Sequence, residues 1–159
     1  MEVYLSLGSN VGDRLQTIIS AIEELQKHPK IFDLKASRMY LTEPYGLAKQ
    51  PDFINCAVRI ETVLSARDIL QEINIIEKDF GRRREIRWGA RTLDIDILFF
   101  GNQVIQEPDL IIPHPQIHKR AFILQPLHEL CPDLVHPVLH KTVRTLLENL
   151  TDNVTLSHR

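Results

Sequence analysis

An α+β fold is predicted by this sequence, with one antiparallel sheet, two helices packed on one of its faces, and additional C-terminal loops and short helices. Two observations lead there: two stretches carry apolar residues at helical spacing, and four others alternate or concentrate strand formers. A third is their order, β-α-β-β-α-β. The 159 residues, 43% hydrophobic and 25% charged, suffice for one sizeable core. No repeat, low-complexity tract or Gly/Ser linker divides them, so a single domain over 1–159 is expected.

EVYLSL (2–7) is short, rich in strand formers and followed by Gly8-Ser9-Asn10, which reads as a turn. Leu15, Ile18, Ile19, Ile22 and Leu25 then fall on one helical stripe, with Asp13 near its start and Pro29 beyond its end, predicting a helix over about 12–28. IFDLKASRMY (31–40) is the second strand and FINCAVRIET (53–62) the third. In the third, Ile54, Cys56, Val58 and Ile60 alternate with Phe53, Asn55, Arg59 and Glu61, which gives it a core face and an outer face. Ser65 and Asp68 resemble a capping box ahead of the stripe Ala66, Ile69, Leu70, Ile73 and Ile76, and Gly81 is expected to end that helix. LDIDILFF (93–100) is the fourth strand, which completes a ferredoxin-like arrangement. The polar tail TDNVTLSHR (151–159) is expected to fray.

Composition narrows the function less than the fold. A net charge of −2 argues against a surface built wholly for nucleic acid or anionic membrane. Cys56 and Cys131 are too few for a disulfide scaffold and lack C-x-x-C spacing, which suggests a reducing, cytoplasmic compartment. No apolar run approaches the roughly 18 residues of a membrane span, and no leader is legible at the N-terminus.

The fourth strand carries the sharpest anomaly. Asp94 and Asp96 share one face, their Cα atoms about 6.5 to 7 Å apart, while Leu93, Ile95, Ile97 and Phe99 share the other. Two carboxylates so placed repel each other, so either that face is simply solvated or cations compensate. Oxygen ligands at this separation suit one or two Mg²⁺ ions that also grip phosphates. Just upstream, GRRREIRWGAR (81–91) crowds Arg82, Arg83, Arg84, Arg87 and Arg91 around Trp88. That loop reads as a solvated basic segment, as a contact for single-stranded nucleic acid with Trp88 stacking, or as a phosphate clamp. Joined to the aspartates, the phosphate reading is favoured, and the flanking glycines suit a loop that closes over a ligand.

Three further stretches carry candidate residues. LGSNVGDR has two glycines but neither of the usual phosphate-loop patterns, so a strand-to-helix turn is the simpler reading. Phe53 and Asn55, after the loop TEPYGLAKQPDFIN, face the same way and suit stacking on and hydrogen bonding to a flat heterocycle, or are an edge aromatic beside a turn amide. PHPQIHKRAF offers His114, His118, Lys119 and Arg120. His114/His118 and His136/His140 have H-x₃-H spacing but no cysteine or acid in register, which favours phosphate contact by His114 and Arg120 over zinc.

Together, LGSNVGDR, TEPYG with QPDFIN, RWGARTLDIDILFFG and PHPQIHKRAF resemble the 6-hydroxymethyl-7,8-dihydropterin pyrophosphokinase family of the folate pathway, from Val3 to about Leu150. RWGARTLDIDI is the most specific of these motifs. The resemblance implies transfer of the β,γ-pyrophosphoryl group of ATP to the hydroxymethyl oxygen of the pterin, with release of AMP. It implies that Asp94 and Asp96 hold two Mg²⁺ ions, with Asp94 also near the pterin. Thr42, Pro44, Tyr45, Phe53 and Asn55 would form the pterin site, Trp88 would cover pterin and ATP, and Phe122 would stack on the other ring face. Arg82, Arg84, Arg91, His114 and Arg120 would neutralise phosphate charge, with Arg82 and Arg91 in catalytic roles, and Glu77 and Ile97 would lie on the nucleotide side. A monomer acting on small molecules, without nucleic acid or membrane, is expected.

Some positions depart from the family's pattern. The Gly81–Trp88 interval is one residue short, which leaves the roles of Arg82, Arg83 and Arg84 interchangeable, and Asp109, Ile111 and Pro115 stand where polar or basic nucleotide contacts occur. Nucleotide recognition is therefore expected to lean on backbone groups. An RNA-binding module and a nucleotide-sensing domain remain as other classes, although the first and third strands lack the aromatic-rich pattern of the former.

Overall fold

A run of strand formers buried from Val3 onward makes β1 (Glu2–Ser9) the middle of the sheet. A computed structural model describes residues 1–10, 12–42, 52–82 and 93–157, with residues 81–82 and 151–157 described in backbone only. The elements follow as α1 (Arg14–Lys27), β2 (Ile31–Ala36), β3 (Tyr40–Thr42), β4 (Phe53–Thr62), α2 (Ala66–Arg82), β5 (Asp94–Phe100), β6 (Ile105–Glu107) and β7 (Leu110–Ile112). A 3₁₀ turn (Ile117–Lys119), α3 (Ala121–Leu130) and α4 (Val143–Ser157) complete them. The main sheet runs β2-β4-β1-β5 with β3 also on β4, its described pairings antiparallel, so the fold class is the predicted ferredoxin-like α+β arrangement.

Both N-terminal helices begin where side-chain chemistry satisfies free amides. Asp13 accepts from the Gln16 amide at 3.1 Å at the start of α1, and Ser65 accepts from the Asp68 amide at 3.1 Å ahead of α2. Ile18, Ala21 and Leu25 of α1, with Ala66, Ile69, Ile73 and Ile76 of α2, bury against Val3, Leu5 and Leu7 of β1 and Cys56, Val58 and Ile60 of β4. Leu15 was expected on that stripe but is exposed, because a helix starting at Arg14 turns it to solvent. α2 also runs through Gly81 to Arg82 rather than stopping at the glycine.

The sheet departs from expectation in three places. The stretch 31–40 is two strands, since β2 carries a register shift between Phe32 and Lys35 and ends at Ala36, before Ser37, whose hydroxyl accepts from the Ala57 amide at 2.9 Å, and β3 starts only at Tyr40. Gly8 lies inside β1 rather than in a turn. In β5, Leu5 pairs with Ile97 and Tyr4 with Phe99, so Leu98 is an extra, bulged residue. Phe99 therefore does not share the face of Ile95 and Ile97; it packs with Leu98 on the other one.

That second face is not open. Tyr4, Leu98 and Phe99 form another core with Ile117, Ile123, Leu124, Leu127, Val143 and Leu146 from the C-terminal helices. Those helices are more than wrapping: α4 is 15 residues long and carries the backbone to Ser157, into the tail expected to fray. The face is thus core at one end, while at the other it holds Ser6 opposite Asp96 and Gly8 opposite Asp94.

His136 closes the loop between α3 and α4. Its Nδ1 accepts from the amides of Val138 and Leu139, each at 3.1 Å, and its ring stands edge-on to Phe99 at 5.6 Å. Burial, followed by the nearby His118 and His140, lowers its pKa. The unfolded chain therefore binds more protons once pH drops below the ordinary histidine value of about 6.5, and this contribution to stability is lost as pH falls further. We expect the urea midpoint to drop between pH 7.5 and 5.5. In His136→Asn, whose amide oxygen keeps the acceptor, the drop should be smaller, while lost ring packing costs about 1 kcal/mol at neutral pH. An equal drop in both proteins would remove His136 from this account.

Candidate active site

The site is built on one row of the second face. Asn55 on β4, Gly8 on β1 and Asp94 on β5 lie directly opposite one another, with Tyr40 on β3 flanking Asn55. Adjacent strands are about 4.8 Å apart, so the backbones of Asn55 and Asp94 stand about 10 Å apart across Gly8. Asn55 is 4% exposed. Its Nδ2 donates to Thr42 Oγ1 at 2.6 Å, which turns Oδ1 over Gly8, so close that a Cβ there would come within 2.7 Å of it. Only glycine leaves room for this amide. Phe53 pairs with Thr42 two residues away on the same face, so the aromatic and the amide adjoin as the alternation predicted.

Neighbouring elements fix this corner. Tyr40 donates to Glu129 Oε1 at 2.6 Å and Arg38 Nε donates to the same oxygen at 3.1 Å, tying β3 to α3. Arg14 donates to the Asp52 carbonyl, anchoring the residue before Phe53 to the start of α1. On β5 the outer edge is fastened as well: Glu77 of α2 accepts from the Ile95 amide at 2.9 Å, midway between the two aspartates. The Glu77 carboxylate thereby sets the backbone from which Asp94 and Asp96 project.

Asp96 stands between this corner and a cavity of about 310 Å³ walled by Leu70 and Ile73 of α2, Ile95 and Ile97 of β5, and Leu110 and Ile111 of β7. His114 and Pro115 close one side of it and Pro108 and Asp109 the hairpin side. His114 is placed by its own amide, which donates to the carbonyl of the bulged Leu98 at 3.1 Å. Its Nδ1 accepts from the Gln116 amide at 3.1 Å, leaving Nε2 with the proton, 4.0 Å from Asp96 Oδ2. Burial lowers the His114 pKa, Asp96 raises it, and Arg120 lowers it further. Arg120 begins α3 with its guanidinium 5.7 Å from the Phe122 ring centroid. Asp96, His114, Arg120 and Phe122 thus follow one another along one side of the site. His118, by contrast, lines a second cavity of about 190 Å³ with His136, beyond the His114 segment.

Among the described residues no group of three metal-ligating side chains is arranged around an ion. Asp94 and Asp96 are an open pair, with Asp96 49% exposed. This donor set fits Mg²⁺, which is held by one or two carboxylates plus waters and substrate phosphates rather than by a closed protein cage.

Of the candidate residues, the structure brings together Thr42, Phe53, Asn55, Glu77, Asp94, Asp96, Ile97, His114, Arg120 and Phe122. Pro44, Tyr45, Arg84, Trp88 and Arg91 lie outside the described residues, as does the side chain of Arg82. Sequence reasoning missed Gly8 as the floor under Asn55, the cavity walls Leu70 and Ile73, which looked like core, and Leu110, which it did not single out. The one available signal for Gly8 was a glycine at the end of a run that otherwise reads as strand.

Residues 4–132 match the family described as 7,8-dihydro-6-hydroxymethylpterin-pyrophosphokinase (HPPK). The chain is 47% identical over 127 residues to the bifunctional protein FolKE of Lactococcus lactis, covering 80% of this chain but 36% of that protein. It is 43% identical over 128 residues to the 2-amino-4-hydroxy-6-hydroxymethyldihydropteridine pyrophosphokinase of Bacillus subtilis, covering 80% and 77% respectively. In fold it resembles the wild-type Plasmodium falciparum HPPK-DHPS crystal structure with pteroate, at 18% identity and a TM-score of 0.77, over 99% of this chain and 43% of that one. The chain therefore belongs to the 7,8-dihydro-6-hydroxymethylpterin-pyrophosphokinase family.

Proposed function

We propose that this chain transfers the β,γ-pyrophosphoryl group of ATP to the hydroxymethyl oxygen of 6-hydroxymethyl-7,8-dihydropterin, releasing AMP, in folate biosynthesis. The observation that carries the proposal is the single row Asn55–Gly8–Asp94. It joins a buried amide suited to a heterocycle edge to a carboxylate pair bordering an apolar cavity. Relatives from Bacillus subtilis and Aquifex aeolicus, both named as the pyrophosphokinase and covered over 77% and 88% of their length, support it.

In the reaction, a bond forms between the pterin hydroxymethyl oxygen and the β-phosphorus as the bond from that phosphorus to the α,β-bridging oxygen breaks. The hydroxyl proton passes to solvent and AMP leaves with the bridging oxygen. Thr42 orients Asn55 so that its amide reads the pterin edge, and Phe53 stacks on the ring, with Pro44 and Tyr45 completing the pocket. Ile97 and the apolar cavity take the adenine end of ATP. Asp94 and Asp96 would hold two Mg²⁺ ions, which would supply positive charge against the phosphate oxygens. Arg82, Arg84, Arg91 and Arg120 offset the triphosphate charge, and neutral His114 donates from Nε2. Trp88 and Phe122 cover the heterocycle. No side chain here is a strong base, so catalysis rests on positioning and electrostatics. We read the chain as acting as a monomer, and the free, buried Cys56 and Cys131 suit a cytoplasmic setting.

The test is AMP formation by purified protein with ATP, Mg²⁺ and the pterin, with each omitted in turn. AMP that requires all three is the expected result. ADP in its place would mean the transferred group is misassigned, and no product from a folded sample would reject the enzyme reading.

A further inference from the structure

Arg67 belongs to no part of the site described above, yet it ties α2 to the hairpin that walls the other side of the apolar cavity. It lies one helical turn before Leu70, which walls that cavity together with Ile73 of the same helix. Its Nη1 contacts Asp109 Oδ2 at 2.8 Å and its Nη2 contacts Glu107. Those two carboxylates flank Pro108 at the turn of the β6–β7 hairpin, which forms the facing wall. The guanidinium holds the Asp109 carboxyl below its usual range. Without a cation between them, two carboxylates two residues apart repel, and the hairpin loses its tie to α2.

We propose that Arg67 is a positioning residue for the nucleotide: by pinning the hairpin to α2 it sets the width of the slot between Leu70, Ile73 and Leu110, Ile111. This inference rests on the reading of that slot as the seat of ATP's base. The ion pairs are partly exposed, so the effect is modest, but it falls on one ligand only.

The test is calorimetric binding of a non-hydrolysable ATP analogue with Mg²⁺, and separately of the pterin, to wild type, Arg67→Met and the double variant Glu107→Gln/Asp109→Asn. The clamp predicts that both variants bind the nucleotide analogue about fivefold more weakly with pterin affinity unchanged. Simple charge attraction predicts opposite signs, since Arg67→Met makes the region more negative and the double variant makes it less so. Tighter nucleotide binding by the double variant, unchanged nucleotide binding by Arg67→Met, or equal losses for both ligands would each overturn the proposal while leaving the nucleotide reading intact. A wild type that binds pterin but no nucleotide would overturn both.

Discussion

Asp96→Asn is expected to lower kcat by about a thousandfold or more, the equivalent of about 4 kcal/mol of transition-state stabilisation. The substitution keeps shape and removes charge at a residue whose side chain is half exposed. Among the described residues its polar neighbour is His114 Nε2 at 4.0 Å, a distance at which no direct hydrogen bond exists. Folding stability should therefore stay within about 0.5 kcal/mol of wild type, the range of ordinary surface changes. Removing one of two facing carboxylates also relieves repulsion with Asp94, which acts in the stabilising direction. The paired measurement is kcat at saturating substrates and the urea midpoint. A near-normal kcat would reject the metal assignment, and a large loss of stability would mean that Asp96 serves the fold.

Gly8→Ala is expected to raise the dissociation constant for the pterin by about 10- to 100-fold and to leave that for ATP within about twofold, as 1 to 3 kcal/mol of disrupted polar contact implies. The added methyl would meet Asn55 Oδ1 at 2.7 Å, with Asn55 Cγ and the Ile54 carbonyl oxygen each at 3.8 Å. Asn55 is buried and its other amide atom is committed to Thr42, so the group has to rotate away and break that bond. The amide would then face the pterin edge wrongly. Retained pterin affinity in Gly8→Ala would show that Asn55 does not read the heterocycle. Restored affinity in a Gly8→Ala variant also carrying Asn55→Ala would indicate that bulk alone matters there.

Much of this was legible in the sequence because the two periodicities are strong. The alternation in 53–62 set Ile54, Cys56, Val58 and Ile60 against Phe53 and Asn55, and the structure keeps that division. The alternation in 93–97 likewise put both aspartates on one side. What no single segment carries is which strand lies beside which, so the row Asn55–Gly8–Asp94 became visible only through pairing. The cavity walls were hidden for a different reason: Leu70 and Ile73 follow the same stripe as the buried residues of α2, and an apolar side chain facing a slot looks identical to one facing a core. The second core was missed because the sheet's other face was read as open, although α3 carries Ile123, Leu124 and Leu127 at helical spacing. Within LFF, a continuous apolar run gives no sign that one residue is surplus.

That surplus residue governs how this strand tolerates change. Deleting Leu98 would leave Ile97, Phe99 and Phe100 in regular alternation opposite Leu5, Tyr4 and Val3, and every carboxylate would keep its partner on β1. What would vanish is the carbonyl that fastens His114. The strand should accept exchanges of one apolar residue for another at this point far more readily than a change in its length, because what matters here is the count of backbone units rather than their identity.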